Sequence, residues 1–198
     1  MSFKNVVKKY IDYLYLRWHG VDTKYGYCRL VGYPIISKFE GSKIIIEEKV
    51  TIVSTSKGNI AGVNNRTILA TLGKDAKITL KSGCGISGGK LVSLCGIEIG
   101  KHTGLGVNCS VYDTDFHPIE ALSRRNQSSP YDAKHKEIII GDDVLVGANS
   151  ILLKGSSIGS RSVIGAGSVV SGITIEPDFV YAGNPVRKIR KINNDISD

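Results

Sequence analysis

The feature that most constrains this chain is a period of six. From residue 140 it reads IGDDVL, VGANSI, LLKGSS, IGSRSV, IGAGSV, VSGITI. An aliphatic residue heads each block: Ile140, Val146, Leu152, Ile158, Ile164 and Val170. Glycine follows it in four of the six, and the fifth position is small or β-branched (Val144, Ser150, Ser156, Ser162, Ser168, Thr174). Upstream, Ile99, Leu105 and Val111 keep the spacing, with Gly100 and Gly106 in step. Leu80, Ile86 and Val92 form another run, offset by a one-residue slip, and Ile46 and Ile52 mark a poorer first turn. An α-helix repeats every 3.6 residues and an ordinary strand every 2, so neither explains the spacing. A solenoid of short strands and tight corners does. Each block gives one strand whose aliphatic residue points into a narrow core, and three blocks close one coil of about eighteen residues. Stacked coils then pair their strands in parallel and bury each other's apolar edges. Glycine at the corners is expected to supply backbone freedom. A β-sandwich would instead alternate over longer stretches. The fold class is therefore an all-β solenoid.

The breaks in the period divide the chain. Residues 1–40 form an N-terminal helical and irregular segment, 41–182 the solenoid, and 183–198 a basic tail. Val6, Val7, Tyr10, Ile11, Leu14, Tyr15 and Trp18 fall at helical spacing with Lys4, Lys8, Lys9, Asp12 and Arg17 elsewhere, which predicts one amphipathic helix. Packing of its apolar face on the solenoid or a neighbouring subunit is favoured over contact with a membrane surface. Val111 and Ile140 are out of phase, and the aperiodic stretch between them is a loop thrown out from the solenoid over about 113–137.

Composition narrows the function classes. The 198 residues are 41% hydrophobic and 22% charged, ordinary for one globular domain. No apolar run approaches the roughly 20 residues that span a bilayer. The stretch MSFKNVVKKYIDYLYLRW is charged throughout and lacks a signal-peptide core, so the expected location is cytoplasmic. The four cysteines, Cys28, Cys84, Cys95 and Cys109, include no CxxC pair and read as small buried thiols. The histidines, His19, His102, His117 and His135, contain no closely spaced pair of the kind a zinc hydratase needs. The net charge of +8 gathers at the ends, in KNVVKK and VRKIRKI, rather than in a basic stripe with stacking aromatics, so nucleic acid is not an expected partner.

One cluster carries chemistry. In SVYDTDFHPIE, Asp113, Asp115 and His117 alternate, so an extended segment would put them on one face. Histidine is the natural general base near neutral pH, and a carboxylate can hold its ring in one tautomer. Taken alone this is weak, because surface loops often hold such residues without any chemistry.

Three stretches together resemble the hexapeptide-repeat acyltransferases, the group that includes galactoside, maltose and polysaccharide O-acetyltransferases. They are DTDFHP, the run IGDDVLVGANSILLKGSSIGSRSVIGAGSVV, and the closing AGNPVRKIRKI. The resemblance covers roughly residues 40–192 and implies a left-handed parallel β-helix. It further implies direct acetyl transfer from acetyl-CoA with His117 as general base, no metal, and a homotrimer with active sites between subunits. The positions it assigns to the CoA path are Ala148, Ala166, Ser171, Arg187 and Arg190, and Ser87 is a loose match to an acceptor or oxyanion contact. Many relatives have tryptophan where this chain has Leu145, which points to a different acceptor. The implied function is O-acetylation of a sugar, in surface-polysaccharide synthesis. N-acetylation of an amino sugar and a purely structural or binding solenoid are the alternatives.

Overall fold

The computed structural model describes residues 3–193. Helix α1 (Phe3–Trp18) leads into three parallel sheets that run the length of the molecule. Up to Phe179–Ala182, strands three places apart in sequence pair with one another, so the chain winds through the three sheets in turn as a three-faced coil. The first face holds Cys28–Val31, Val50–Val53, Gly85–Ser87, Gly104–Leu105, Leu145–Val146, Val163–Ile164 and Phe179–Ala182. The second face runs from Ile35–Ser37 to Val169–Ser171, and the third from Lys43–Ile46 to Thr174–Ile175. The repeat residues stack inward in register: Leu105 pairs with Val146, and Val146 with Ile164. Ile140, Val146, Leu152, Ile158, Ile164 and Val170 are all fully or almost fully buried. On the third face two residues per coil point inward, Ile138 and Ile140 over Ile97 and Ile99.

Glycine has two roles at the corners. The left-handed residue there stands three places after the aliphatic one: it is glycine at Gly83 (φ 77°), Gly155 (76°) and Gly167 (68°), as expected, and elsewhere His102 (54°), Asn108 (61°), Asp143 (56°), Asn149 (59°) or Arg161 (60°). The glycine directly after the aliphatic residue is needed for close approach instead. A Cβ on Gly106 would lie 2.6 Å from the Ala148 nitrogen and 2.8 Å from the Val146 oxygen. The next coil's backbone passes where a side chain would sit. The recurring serines are buried and bond backbone carbonyls; Ser162 Oγ donates to Glu176 O at 2.7 Å and Ser168 Oγ to Gly165 O at 2.6 Å.

Several boundaries differ from the spacing. The coil begins at Cys28, not 41, because Cys28–Val31 and Ile35–Ser37 already pair in parallel with Val50–Val53 and Ile68–Ala70. Leu91, not Val92, takes the inward place beside Val111, since the Gly88–Gly89 corner is one residue short. Part of the basic tail is a strand: Arg187–Lys191 pairs antiparallel with Phe179–Ala182 and closes the first face with a charged edge. Residues 194–198 lie outside the described ones.

Helix α1 also turns a different side to the coil than its apolar spacing predicts. Leu16 enters the main core with Val21 and Leu30, and Asp12 is buried beside it. Asp12 accepts from Lys8 Nζ at 2.8 Å and from the Leu30 N–H at 3.3 Å. Tyr15 OH donates to Pro34 O at 2.6 Å. Apart from Tyr15, which packs against the core, the predicted apolar stripe faces outward.

Candidate active site

The 113–137 insertion leaves the coil at the corner between the second and third faces. Strand Ser110–Tyr112 leads into it, and Ile138–Ile140 resumes the third face. An antiparallel bridge between Thr114 and His135 zips its root. It contains helix α2 (Ala121–Arg125) and a single turn of 3-10 helix at Pro130–Asp132. Tyr131 folds back against Gly73, where any Cβ would collide with its hydroxyl. The loop is thus built onto the scaffold, as functional loops commonly are.

Asp113 is fully buried and does not meet His117. Its carboxylate accepts from Ser93 Oγ at 2.7 Å and from the backbone N–H groups of Leu94 (2.6 Å), Cys95 (3.0 Å) and Gly96 (2.7 Å). Three successive amides make a nest for one anion. Asp113 therefore pins the corner of the preceding coil to the loop root. Asp115 does not meet the ring either. Its Oδ1 pairs with Lys154 Nζ at 2.5 Å, tying the loop to the following coil, while Oδ2 is buried with no partner among the described residues. The alternation of 113, 115 and 117 fails as a shared face because the chain is not extended here. Phe116 is left-handed at φ 63°, and the His117 N–H donates to Asp115 O at 2.7 Å. This is the rare and strained form of three-residue turn. The Phe116 ring is braced edge-on against Tyr112 at 5.3 Å. His117 is swung out to the exposed side.

The ring is oriented by a residue the sequence did not single out. His117 Nδ1 lies 2.8 Å from Gln127 Oε1. Gln127 Nε2 donates to the carbonyls of Phe116 (2.9 Å) and Ser129 (3.1 Å). Two carbonyl acceptors on the amide nitrogen fix which way the carboxamide points, so its oxygen faces the ring. An amide oxygen accepts only, so Nδ1 carries a proton, and in the neutral ring Nε2 then presents its lone pair to solvent. That is the tautomer a general base needs, held by a neutral amide in place of a carboxylate. Gln127 stands ten positions away in an aperiodic loop, and no spacing rule connects it to His117.

The remaining expected residues divide between two corners. Ala148 and Ala166 stack at the corner between the first and second faces, where the Gly167 N–H donates to Ala148 O at 2.8 Å. Ser87 ends a first-face strand at the same corner, and its hydroxyl accepts from Asn59 Nδ2 at 3.1 Å. Asn59 belongs to a second insertion, residues 54–67, which the spacing did not flag; its nearest signal is the run SKGNIAGVNNR. Ser171 is exposed at the opposite edge of the second face, in register with Leu153 and thus next to Lys154. Arg187 and Arg190 lie exposed on the closing strand, and among the described residues neither is paired with a carboxylate. Leu145 is exposed on the first face. Within one chain, then, His117 shares its corner with Ser171 but not with Ala148, Ala166 or Ser87.

No thiol is set up as a nucleophile. Burial pushes Cys84 up to about 12. Burial and the neighbouring Asp113 carboxylate push Cys95 up to about 12. Cys28 and Cys109 are also raised by burial. Among the described residues no group of His, Cys, Asp and Glu is arranged to hold a metal ion.

Residues 137–172 match the family model described as bacterial transferase hexapeptide, six repeats. Over these residues the period of six coincides with the repeat of that model. The chain is 38% identical over 104 residues to a galactoside O-acetyltransferase of Lactococcus lactis, covering 52% of this chain and 47% of the relative. It is 37% identical over 101 residues to the galactoside O-acetyltransferase of Escherichia coli, covering 50% and 45%. The chain spans about half the length of the curated relatives it matches. Two solved structures share the fold. One is a hexapeptide-repeat acetyltransferase of Vibrio cholerae complexed with acetyl coenzyme A (TM-score 0.54, 20% identity, 92% of this chain and 76% of that one). The other is an N-acyltransferase of Bacillus cereus in complex with dTDP and 3-hydroxybutyryl-CoA (TM-score 0.55, 21% identity, 86% of each chain).

Proposed function

We propose that this protein is an acetyl-CoA-dependent O-acetyltransferase acting on a sugar hydroxyl in surface-polysaccharide synthesis (capsule, O-antigen or exopolysaccharide), in the cytoplasm. The observation that carries the reading is the His117–Gln127 contact, which leaves Nε2 free as a base at the exposed root of a braced loop. In the reaction, Nε2 takes the proton of the acceptor hydroxyl as its oxygen attacks the thioester carbonyl. The tetrahedral oxyanion collapses, the C–S bond breaks, the acetyl ester is formed, and the CoA thiolate recovers the proton from His117. With every thiol held protonated by burial, direct transfer needs no acyl-enzyme.

The acyl donor fits the small-residue column. Ala148 and Ala166 leave backbone approachable along one corner, and Arg187 and Arg190, without a carboxylate partner among the described residues, suit phosphates. These residues and His117 stand at different edges of one chain, so the reading includes a homotrimer in which each site combines two subunits. The loop of one subunit would supply His117, and the corner of its neighbour Ala148, Ala166 and, for acceptor or oxyanion contacts, Ser87. The left-handed sense of the coil belongs to the same reading.

The test is calorimetry of acetyl-CoA binding combined with CoA release over a panel of sugars. Wild type is expected to bind and turn over, and His117→Ala to bind but remain inert. A wild type that does not bind acetyl-CoA overturns the donor assignment. Equal turnover by His117→Ala overturns the base.

A further inference from the structure

Helix α1 docks by one side and leaves the other bare. Phe3, Val7, Tyr10, Ile11, Leu14 and Trp18 are all at least 40% exposed, Phe3 at 82% and Trp18 at 89%. At the helical rotation per residue these six occupy an arc about 100° wide, as broad as the face a helix normally buries. The stripe is bordered by Lys4 and Lys8 on one side and Arg17 on the other. The helix has one acidic side chain, Asp12, and it is buried on the inner side against Lys8. Residues 1–40 hold seven basic residues against three acidic ones. Tyr33, partly exposed, extends the apolar surface beside the stripe.

An apolar stripe of this width wants cover. The border of the stripe is basic (Lys4, Lys8, Arg17). Anionic headgroups are complementary to it. No described helix is long and apolar enough to cross a membrane. An amphipathic helix with a basic border and bulky apolar residues suits the plane of the interface instead. Trp18 and the tyrosines have the amphipathic rings that settle at headgroup level.

We propose that α1 seats the protein on an anionic lipid surface, lying in the interface with its Phe3–Trp18 stripe inserted and its basic border on the headgroups. This rests on the helix alone and stands apart from the acetyltransferase reading. If both hold, the site works beside the bilayer, where a lipid-linked acceptor would be presented.

The chain carries its own reporter, because Trp18 is its single tryptophan and lies within the stripe. The full-length protein is titrated with vesicles of phosphatidylcholine alone, or with about 30% phosphatidylglycerol. The anionic vesicles are expected to shift Trp18 emission to the blue and to sediment the protein, with both effects lost at high salt. Lys4→Gln combined with Arg17→Gln keeps the reporter and is expected to weaken binding about thirtyfold, from the usual attraction per basic residue near such a surface. Leu14→Asp is expected to abolish binding with an unchanged circular dichroism spectrum, because its side chain points away from the coil. Absence of a shift with anionic vesicles, or equal binding to neutral ones, overturns the proposal. So does a Trp18 emission already blue without vesicles that reddens on dilution, since a second copy then covers the stripe.

Discussion

Replacing Asp113 separates a structural carboxylate from a catalytic one. The side chain is fully buried and satisfies four donors: Ser93 Oγ and the N–H groups of Leu94, Cys95 and Gly96. Asp113→Ala strands all four inside the corner. A buried donor left without a partner costs about 1–3 kcal/mol. Taking the low end for each, since water enters the space vacated by the carboxylate, the loss is about 4 kcal/mol. That is a large part of the 5–15 kcal/mol of a typical domain. With a urea m-value of about 2 kcal/mol per molar, the unfolding midpoint should fall by about 2 M. Asp113→Asn keeps the shape and one acceptor but turns an NH2 toward backbone N–H groups, and should cost about half as much. The measurement is urea unfolding by circular dichroism at one fixed protein concentration, since an oligomer's midpoint depends on it. At temperatures where Asp113→Asn is folded, the His117–Gln127 contact is intact, so turnover should fall far less than in His117→Ala. A wild-type midpoint for Asp113→Ala refutes the anchoring role. A stable Asp113→Asn as inert as His117→Ala refutes its separation from catalysis.

Other outcomes follow from the same geometry. Gln127→Ala should lower kcat about ten- to hundredfold with acetyl-CoA affinity unchanged, because the ring loses its orientation and not its base. Gln127→Glu should restore most of the rate and move the acid limb of the pH–rate profile to higher pH, since a carboxylate stabilises the imidazolium and raises its pKa. Cys95 should react with iodoacetamide at pH 8 over a hundredfold more slowly than a free thiol and recover normal reactivity in denaturant. Its pKa is raised to about 12, so the thiolate is scarce until strongly alkaline pH. Gly106→Ala should destabilise by about 3 kcal/mol in thermal or urea unfolding, as its Cβ would lie 2.6 Å from the Ala148 nitrogen and no flexible side chain can yield.

The period of six was enough to read the coil, the inward aliphatics from Ile140 to Val170 and the place of the long insertion. A repeat that must bury one residue per strand leaves that mark in any sequence that folds this way. The sequence also singled out His117 as a candidate, as the histidine at the root of the 113–137 insertion. What decided its surroundings was not legible. Asp113 and Asp115 stand beside it in sequence, yet the left-handed Phe116 turns them away, one into a nest of amides and the other onto Lys154. Gln127 reaches the ring only because the loop closes on itself. The outward stripe of α1 was visible as a stripe, but the spacing pointed it at the core. The side that docks carries Leu16 in the core and buried Asp12, held by Lys8 and the Leu30 amide. Periodicity determines which residues are buried, because burial repeats with the backbone. Which polar groups meet is decided by contacts between distant segments, and those exist only once the coils are stacked.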